Sequence, residues 1–273
     1  MIINVHGIDY AVEVKGEGDP LLLLHGFTGS KKTWAPFTSQ WSKRYKTIAI
    51  DIIGHGETAS PEDVAYYSME SVARSLNEIL QTLGIEQTHL LGYSMGGRLA
   101  LYFALHYPRV VMNLILESAS PGLTSPVERN TRIENDHRLA ERIISEGVGA
   151  FVAYWEKIPL FATQENLPEH VTSAIRKERL DQKAIGLANS LRGMGTGQQP
   201  SLWEALPTFR HSVLMVVGAR DQKFVNIAER MKQCFEKSKI IVVPHVGHAV
   251  HVEDSIKFAK IVYEDFYHMI ENH

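Results

Sequence analysis

Short apolar runs recur along the chain and are separated by segments with the spacing of amphipathic helices. The runs are rich in Leu, Ile and Val, which is typical of strands that are buried on both faces of a parallel sheet. Strands that alternate with helices predict right-handed crossovers and a doubly wound α/β sheet. The runs are "LLLLHG" at 21, "TIAID" at 47, "HLLGYS" at 89, "NLILES" at 113, "SVLMVVG" at 212 and "KIIVVP" at 239.

Two further segments carry a clear periodicity. The residues "MIINVHGIDYAVEV" alternate between apolar and polar side chains, which predicts a pair of strands. After "TIAID", apolar residues fall on one face of a helix for which Ser68 is the predicted N-cap. The residues of this face are Val72, Leu76, Ile79, Leu80 and Leu83.

The alternation is interrupted between about Ser120 and about Pro207, where no strand-like run occurs. This stretch contains helical patterns such as "RNTRIENDHRLAERIISEG" and "PEHVTSAIRKERLDQKAIGLANSLRG". A loop of this length without secondary structure is uncommon in a compact domain, so we expect an inserted helical lid. The predicted organisation is a core of residues 1–119 and 208–273 with a lid of residues 120–207. Such lids close over the strand ends at which α/β sheets bind ligands.

Composition narrows the class of partner. Apolar residues make up 44% and charged residues 22% of the chain, and the formal net charge is −3. This balance is ordinary for a globular protein and gives no reason to expect nucleic acid or an anionic membrane as a partner. The apolar runs are shorter than the roughly 18 residues that a membrane span needs. The first residues lack the basic and apolar regions of a secretory signal. We therefore expect neither membrane insertion nor secretion.

The single cysteine, Cys234, makes an intrachain disulfide impossible and favours a reducing cytoplasm. Its helical spacing from Ile227 and Met231 predicts a buried position. The sequence leaves the oligomeric state open between a monomer and a weak homo-oligomer.

The strongest chemical motif is Gly92-Tyr93-Ser94-Met95-Gly96, which matches G-x-S-x-G. An apolar strand precedes it, and the helical segment "RLALYFALHYP" follows it. Glycines permit a sharp strand-to-helix turn that a Cβ atom would obstruct, and this turn exposes the serine Oγ at a helix N-terminus. The alternative is a plain turn, but the flanking strand and helix favour a nucleophilic serine.

A reactive serine needs a base that takes its proton. Among the 13 histidines, His248 in "VVPHVGHAVHVED" is the best placed, because it lies between a strand and a helix expected to begin near Glu253. His245 and His251 are the alternatives, and for them we expect loop or surface hydrogen bonds.

The base in turn needs an acid that orients it. Asp221 in "VVGARDQKF" follows a strand and gives the order Ser, acid, His. It could instead cap a helix that begins near Val225. Glu117, which ends the run "LILE", is the rival acid. Asp51 in "DIIGHGE" precedes the serine, and we expect it to form a turn.

Negative charge on a reacting oxygen needs donors, and "HGFTGS" after the first apolar run supplies a candidate loop. The backbone N–H groups of Phe27 and Met95 would form an oxyanion hole, in which each donor contributes about 3 to 4 kcal/mol. We expect His25 to be structural. The sequence predicts no cofactor, because it has no P-loop and because "GYSMGG" places a serine where a dinucleotide fingerprint needs a turn glycine. The histidines of "PHVGHAVH" could suggest a metal site, but one of them is needed as the base, so we expect no metal.

Five segments resemble the α/β-hydrolase superfamily in order and spacing over nearly the whole chain. They are "HGFTGS", "DIIGHGE", "GYSMGG", "GARDQKF" and "HVGHAVHVE". The resemblance implies an α/β-hydrolase fold with a triad of Ser94, Asp221 and His248. It does not fix the reaction, because members include esterases, lyases, dehalogenases and receptors.

A narrower resemblance is carried by "GYSMGGRLAL", "SPGL", "ERNTRIENDHRLAERI", "AYWEKIPLF" and "GARDQKF". These segments are similar to the 2-succinyl-6-hydroxy-2,4-cyclohexadiene-1-carboxylate synthases of menaquinone biosynthesis. That family eliminates pyruvate from 2-succinyl-5-enolpyruvyl-6-hydroxy-3-cyclohexene-1-carboxylate. The resemblance implies a lyase whose triad abstracts a proton from a small polycarboxylate.

The same resemblance implies that the substrate-binding residues are Tyr93, Arg98, Arg132, Trp155 and Arg179. Arg176 is an alternative to Arg179. Trp155 could equally pack the lid. Lid arginines could also lie on solvated helical faces.

Arg98 lies four residues after Ser94 and therefore faces the same side of the predicted helix. A guanidinium at this position is costly to desolvate unless it meets an anion, which favours a substrate carboxylate as its partner. The alternatives are a structural ion pair or a side chain that extends to solvent. Two other functions stay open: a serine hydrolase of esters or carbon–carbon bonds, and a non-catalytic receptor for small molecules.

Overall fold

A computed structural model describes residues 1–271 of the chain, so residues 272 and 273 of the predicted core lie outside the described residues. All six apolar runs lie on strands, and the alternating N-terminal segment forms two more. The strands are β1 (Ile2–Val5), β2 (Ile8–Lys15), β3 (Asp19–Leu24), β4 (Tyr45–Ile50), β5 (Thr88–Tyr93), β6 (Val111–Glu117), β7 (Val213–Gly218) and β8 (Ser238–Val243).

The eight strands form one sheet in the order β1-β2-β4-β3-β5-β6-β7-β8. The β1–β2 and β2–β4 pairs are antiparallel, and all other pairs are parallel. The predicted α/β-hydrolase fold is therefore confirmed. Because β3, β5, β6 and β7 run in parallel, their carboxyl ends meet at one edge, where α/β sheets place their ligands.

Helices follow most strands and cover both faces of the sheet. They are α1 (Ala35–Trp41), α2 (Met69–Thr82), α3 (Met95–His106), α4 (Pro126–Trp155), α5 (Glu169–Leu180), α6 (Ala184–Met194), α7 (Gln222–Lys232), α8 (Val250–Glu253), α9 (Ser255–Lys260) and α10 (Phe266–Glu271). Shorter 3-10 helices span Lys31–Trp34, Val64–Tyr67, Pro159–Asn166 and Trp203–Thr208, and a π-helical turn spans Ile261–Asp265.

Helix α2 agrees with its sequence pattern. The Ser68 side chain accepts a hydrogen bond from the backbone N–H of Ser71, so Ser68 is the N-cap. Leu76 and Leu80 are fully buried on the predicted face. This face packs, together with α3 and α7, in one core, whereas α1, α9 and α10 enclose an aromatic core on the other side of the sheet.

The segment between β6 and β7 holds α4, α5 and α6 and contains no strand. Gly147, with φ 84° and ψ 165°, interrupts α4. Ile143 and Phe151 of α4 pack against Leu187 of α6 in a small apolar cluster, and Phe27 of the core packs against this cluster from outside. The segment therefore carries its own packing and meets the core near the carboxyl ends of the strands.

Cys234 lies just after α7 and is only half-buried, although it packs against the main core. The prediction of a fully buried position is wrong, because α7 ends at Lys232 and the chain turns there. Among residues 1–271, no helix combines the length and the apolar character that crossing a bilayer requires.

Several buried histidines are held in the neutral form. Burial lowers the pKa of His89 to about 4, and the pKa of His55 to about 3. The Nδ1 atom of His89 accepts a long hydrogen bond (3.4 Å) from the Asn113 side chain. Nε2 of His89 has no partner among the described residues. Protonation of these imidazole rings would therefore destabilise the folded state.

We expect the free energy of unfolding to fall between pH 7 and pH 5. The unfolded chain binds protons near pH 6.5, whereas folded His89 stays neutral down to about pH 4. A histidine whose pKa is lower in the folded state than in the unfolded state therefore contributes stability at neutral pH. This stability is lost as the pH falls below the pKa of the unfolded chain. His89→Phe should reduce the pH 7 to pH 5 difference by about 2 kcal/mol, measured by urea unfolding. An unchanged difference would contradict a neutral buried His89.

Candidate active site

The turn after β5 holds Ser94 in a backbone conformation that non-glycine residues rarely adopt, with φ 49° and ψ −106°. Two glycines make room for it. A Cβ atom on Gly92 would lie 2.3 Å from the carbonyl oxygen of Gly96, and one on Gly96 would lie 2.3 Å from that of Leu24. The turn therefore requires both glycines of the motif and presents the Ser94 side chain at the start of α3.

Three side chains from distant parts of the sequence form one hydrogen-bonded chain. The Ser94 Oγ–H donates to Nε2 of His248 (2.9 Å), and Nδ1–H of His248 donates to Oδ2 of Asp221 (2.7 Å). His248 is 1% exposed, so solvent competes little for these bonds. The structure thus brings together the three residues that the sequence singled out.

The two carboxylate oxygens of Asp221 have different hydrogen-bond partners. One carboxylate oxygen accepts from His248, and the other accepts a weak hydrogen bond (3.4 Å) from the backbone N–H of Phe224 at the start of α7. Both interpretations of Asp221, triad acid and helix cap, therefore agree with the geometry. The capped helix begins at Gln222, three residues before the predicted start near Val225.

The alternative acid, Glu117, is hydrogen-bonded to a different histidine, His251. Glu117 accepts hydrogen bonds from the backbone N–H (3.0 Å) and from Nδ1 (2.9 Å) of His251. His251 lies in α8 and is 5% exposed, so the expected loop or surface position is wrong for it. His245 is exposed in the loop after β8.

Asp51 holds a turn, as the sequence predicted. Its buried carboxylate accepts from the backbone N–H of Glu57 (2.9 Å) and pairs with Nζ of Lys31 (2.8 Å). His25 is structural as well. Its Nδ1–H donates to the carbonyl of Gly26 (2.8 Å), and its Nε2 accepts from the backbone N–H of Ile52 (2.9 Å).

The two predicted oxyanion donors lie beside Ser94. Met95 is the first residue of α3, where backbone N–H groups have no intrahelical acceptor. The Phe27 N–H, in the loop after β3, has no acceptor among the described residues. Both residues line the cavity that contains Ser94 and His248. Two free donors next to an activated hydroxyl can stabilise a developing negative oxygen.

This cavity has a volume of about 380 Å³ and is enclosed by strand ends, α7 and the lid segment. Arg98, Arg132 and Trp155 line it. The Trp155 ring packs edge-on against Phe27 (5.5 Å between centroids), and its Nε1 has no partner among residues 1–271. Trp155 therefore both packs the lid and faces the cavity.

The Arg98 guanidinium hydrogen-bonds to neutral protein groups. Its Nη1 donates to the carbonyl of Met194 (2.8 Å) and to Oε1 of Gln199 (3.1 Å). No ion pair of the described residues includes Arg98. Burial, and secondarily the charge of Arg132, lowers the pKa of Arg98 to about 10, while the Asp136 carboxylate, which is not hydrogen-bonded to Arg98, acts in the opposite direction. Arg98 therefore stays cationic at neutral pH. An anion in the cavity would give this charge the partner that the protein does not supply.

Arg132 is already paired. Its Nε donates to Oδ1 of Asp136, four residues along α4 (2.8 Å). Asp136 is 4% exposed, its second oxygen has no partner among the described residues, and burial raises its pKa. Arg132 thus faces the cavity while an internal carboxylate holds its other side.

Arg179 does not line the cavity of Ser94. It lies at 7% exposure in a neighbouring cavity of about 540 Å³, over the ring of Phe161 (4.9 Å). Tyr93 lines both cavities, and burial raises its pKa well above the usual value. Arg176 forms an ion pair with Glu156, which leaves Arg179 as the arginine of the pair that faces a cavity.

Sequence reasoning missed three residues that shape the site. Gln199 accepts a hydrogen bond from Arg98 and lies in a segment without a motif. Phe161 lines both cavities and ends the segment "AYWEKIPLF", but sequence reasoning assigned no role to it. Glu253 accepts from the backbone N–H of Gly247 (2.7 Å) and, weakly, of Ala249 (3.4 Å), and so holds the loop that carries His248. A carboxylate placed near the start of a helix was the one signal that could have indicated Glu253.

The eight-stranded sheet, the strained serine turn and the Ser94–His248–Asp221 chain define the class of protein as an α/β-hydrolase. A sequence model of the alpha/beta hydrolase fold matches residues 19–255. A protein of Bacillus subtilis (strain 168), provisionally named 2-succinyl-6-hydroxy-2,4-cyclohexadiene-1-carboxylate synthase, is 45% identical over 94% of this chain and 94% of its own.

Solved structures agree with the sequence comparison. MenH from S. aureus superposes with a TM-score of 0.91 at 35% identity, over 95% of this chain and 98% of that chain. A thermophilic esterase from Thermogutta terrifontis, with malate bound, has a TM-score of 0.84 at 29% identity, over 98% and 97%. The chain belongs to the α/β-hydrolase family and, within it, to the group of enzymes related to MenH and the B. subtilis protein.

The hydrogen-bonded chain predicts the reactivity of Ser94. Asp221→Asn should lower the rate at which a fluorophosphonate labels Ser94 by about 10³- to 10⁴-fold, because an amide no longer fixes the His248 tautomer. The rate is followed by mass spectrometry. His245→Gln, in the exposed loop, is the matched control and should label like the wild type. Equal labelling of the Asp221 variant would remove Asp221 from the triad.

Proposed function

We propose that this enzyme is a lyase that eliminates pyruvate from 2-succinyl-5-enolpyruvyl-6-hydroxy-3-cyclohexene-1-carboxylate. The product would be 2-succinyl-6-hydroxy-2,4-cyclohexadiene-1-carboxylate, an intermediate of menaquinone biosynthesis. The names of the B. subtilis relative and of MenH support this reaction. We place the enzyme in the cytoplasm, on the ground that its single cysteine needs no oxidising compartment.

One observation carries the proposal: Arg98 lines the cavity of Ser94 without a carboxylate partner from the protein. A substrate carboxylate would pair with this guanidinium, and a charge-assisted hydrogen bond contributes roughly 1.5 to 3 kcal/mol. Arg132 lines the same cavity and would meet a second carboxylate. Arg230 and Lys223 of α7 also line it, and a cavity with these four cationic side chains suits a polyanion better than a neutral ester.

The triad would act on a carbon acid. Ser94 Oγ gives its proton to Nε2 of His248, and Asp221 stabilises the imidazolium through Nδ1. Ser94 Oγ then removes a ring proton of the substrate, and the released electron pair shifts through the ring and breaks the carbon–oxygen bond. Enolpyruvate leaves and takes up a proton to give pyruvate. No acyl-enzyme forms on this route.

The remaining candidate residues have supporting roles. The N–H groups of Phe27 and Met95 would stabilise negative oxygen or hold a carboxylate. Tyr93 and Trp155 would hold the cyclohexene ring of the substrate between them, since both line the cavity. Arg179 would reach a third carboxylate only if Phe161, which lies between the two cavities, moved aside.

Ser94→Ala should abolish pyruvate release, with a fall in kcat of at least about 10³-fold, because no other hydroxyl in residues 1–271 is hydrogen-bonded to His248. Pyruvate is measured with a coupled dehydrogenase. Substrate binding, followed by calorimetry, should stay within about threefold of the wild type. Isolation of an obligatory covalent seryl intermediate would refute the route.

Arg98→Ala should lower kcat/KM for pyruvate release by about 100-fold, the loss expected from one charge-assisted contact. Hydrolysis of a neutral nitrophenyl acetate, where present, should change less than threefold. Arg138→Ala, at an exposed lid position, is the matched control and should leave both rates unchanged. Equal losses with both substrates would show that Arg98 supports the fold instead of recognising a carboxylate.

A serine hydrolase is the second candidate, favoured by the likeness to the Thermogutta esterase and by the shared triad. In that case Ser94 would attack an acyl carbon, and the Phe27 and Met95 amides would hold the tetrahedral oxygen. The same pair of assays separates the two candidates. Rapid ester turnover without pyruvate release would establish the hydrolase.

A further inference from the structure

Glu117 contacts the reactive serine through its backbone. It is the last residue of β6, directly beside Tyr93 in the sheet register. Its carbonyl oxygen accepts the backbone N–H of Ser94 (2.8 Å). This bond lies at the point where Ser94 has its strained conformation, so Glu117 helps to fix the orientation of the serine turn.

The side chain of Glu117 reaches in another direction. Its carboxylate is fully buried and accepts from both the backbone N–H and Nδ1–H of His251. His251 lies three residues after His248, in the short helix that ends the histidine loop. Glu117 is therefore hydrogen-bonded both to Ser94 and to His251, a residue three positions from His248 in the loop and helix that carry the histidine.

The histidine that Glu117 holds also packs around Tyr93. The His251 ring lies 4.5 Å from the Tyr93 ring in an edge-to-face contact, and the His248 ring lies 5.6 Å from the same tyrosine. Trp34 packs on another side of His251 at 5.4 Å. A shift of His251 would therefore be transmitted to His248 both through the chain and through Tyr93.

We propose that Glu117 is a positioning residue that keeps His248 within hydrogen-bonding reach of Ser94 by anchoring His251. This inference rests on the triad of the proposed function. A buried carboxylate is costly, and apolar side chains of similar size stabilise a fold equally well. We therefore assign the hydrogen bonds of Glu117 to the positioning of His248 relative to Ser94. Catalysis is sensitive to such positions, because a misplacement of 1 Å can cost about 100-fold in rate.

The test compares three site variants with a matched control. Glu117→Ala removes both acceptors, and Glu117→Gln keeps one oxygen that can accept both bonds. His251→Phe keeps the aromatic packing and removes the ring hydrogen bond. The control is His89→Phe, which also replaces a buried histidine but lies near the opposite end of β5, about 16 Å along the strand.

Two rates are measured well below the melting temperature of each variant: fluorophosphonate labelling of Ser94, and pyruvate release. Glu117→Ala should lose about 100-fold in labelling rate and in kcat, with KM within about twofold. His251→Phe should lose about 10-fold, and Glu117→Gln should stay within about fivefold of the wild type. His89→Phe should react like the wild type.

A merely structural role gives a different pattern: lower melting temperatures with unchanged labelling rates, which would overturn the proposal. If Glu117→Ala does not fold, His251→Phe carries the same test. Labelling also separates this inference from the proposed reaction. If the variants show the predicted labelling rates but the wild-type enzyme releases no pyruvate, the proposed lyase reaction is refuted and the positioning role of Glu117 is not. Pyruvate release with unchanged labelling of the folded variants would refute the positioning role alone.

Discussion

The strained turn at Ser94 is the constraint on which the rest of the site depends. Its backbone is stable only because Gly92 and Gly96 let neighbouring carbonyl groups approach to distances that a Cβ atom would prevent. The hydrogen bond from Ser94 N–H to the end of β6 holds the turn from one side, and α3 continues from the other. Packing of the parallel sheet thus stabilises a conformation that no isolated peptide would keep.

Charges near this turn fall into two kinds. Asp221, Glu117 and Asp136 each have a partner inside the protein, so their burial is compensated by hydrogen bonds. Arg98 has only a carbonyl and an amide oxygen as partners, and its desolvation is therefore incompletely offset. The proposed lyase rests on this imbalance and not on the Ser94–His248–Asp221 chain, because one fold and one set of side chains can serve unrelated reactions.

The lid segment completes the site. Helix α4 supplies Arg132 and Trp155, and the chain after α6 supplies Gln199, whereas the core supplies Ser94, Asp221 and His248. Phe161 lies against both cavities, with Arg179 on its far side. The shape of the Ser94 cavity therefore depends on how the segment between β6 and β7 packs against Phe27 and its neighbours.

Local patterns in the sequence were enough to predict the six buried strands, the N-terminal pair of strands, the Ser68 cap and the glycine-flanked serine. Each of these follows from side chains that are close neighbours along the chain, through periodicity, capping or the absence of a Cβ atom. The order of Ser94, Asp221 and His248 could be read in the same way, because each follows an apolar strand.

Only the tertiary structure decided which groups meet. It paired His248 with Asp221 and His251 with Glu117, gave Arg132 an internal carboxylate and Arg98 none, and placed Arg179 in a neighbouring cavity. Except for Arg132 and Asp136, which are four residues apart on α4, these partners lie far apart in sequence. Their distances depend on how whole strands and helices pack, and no local pattern of residues contains that information.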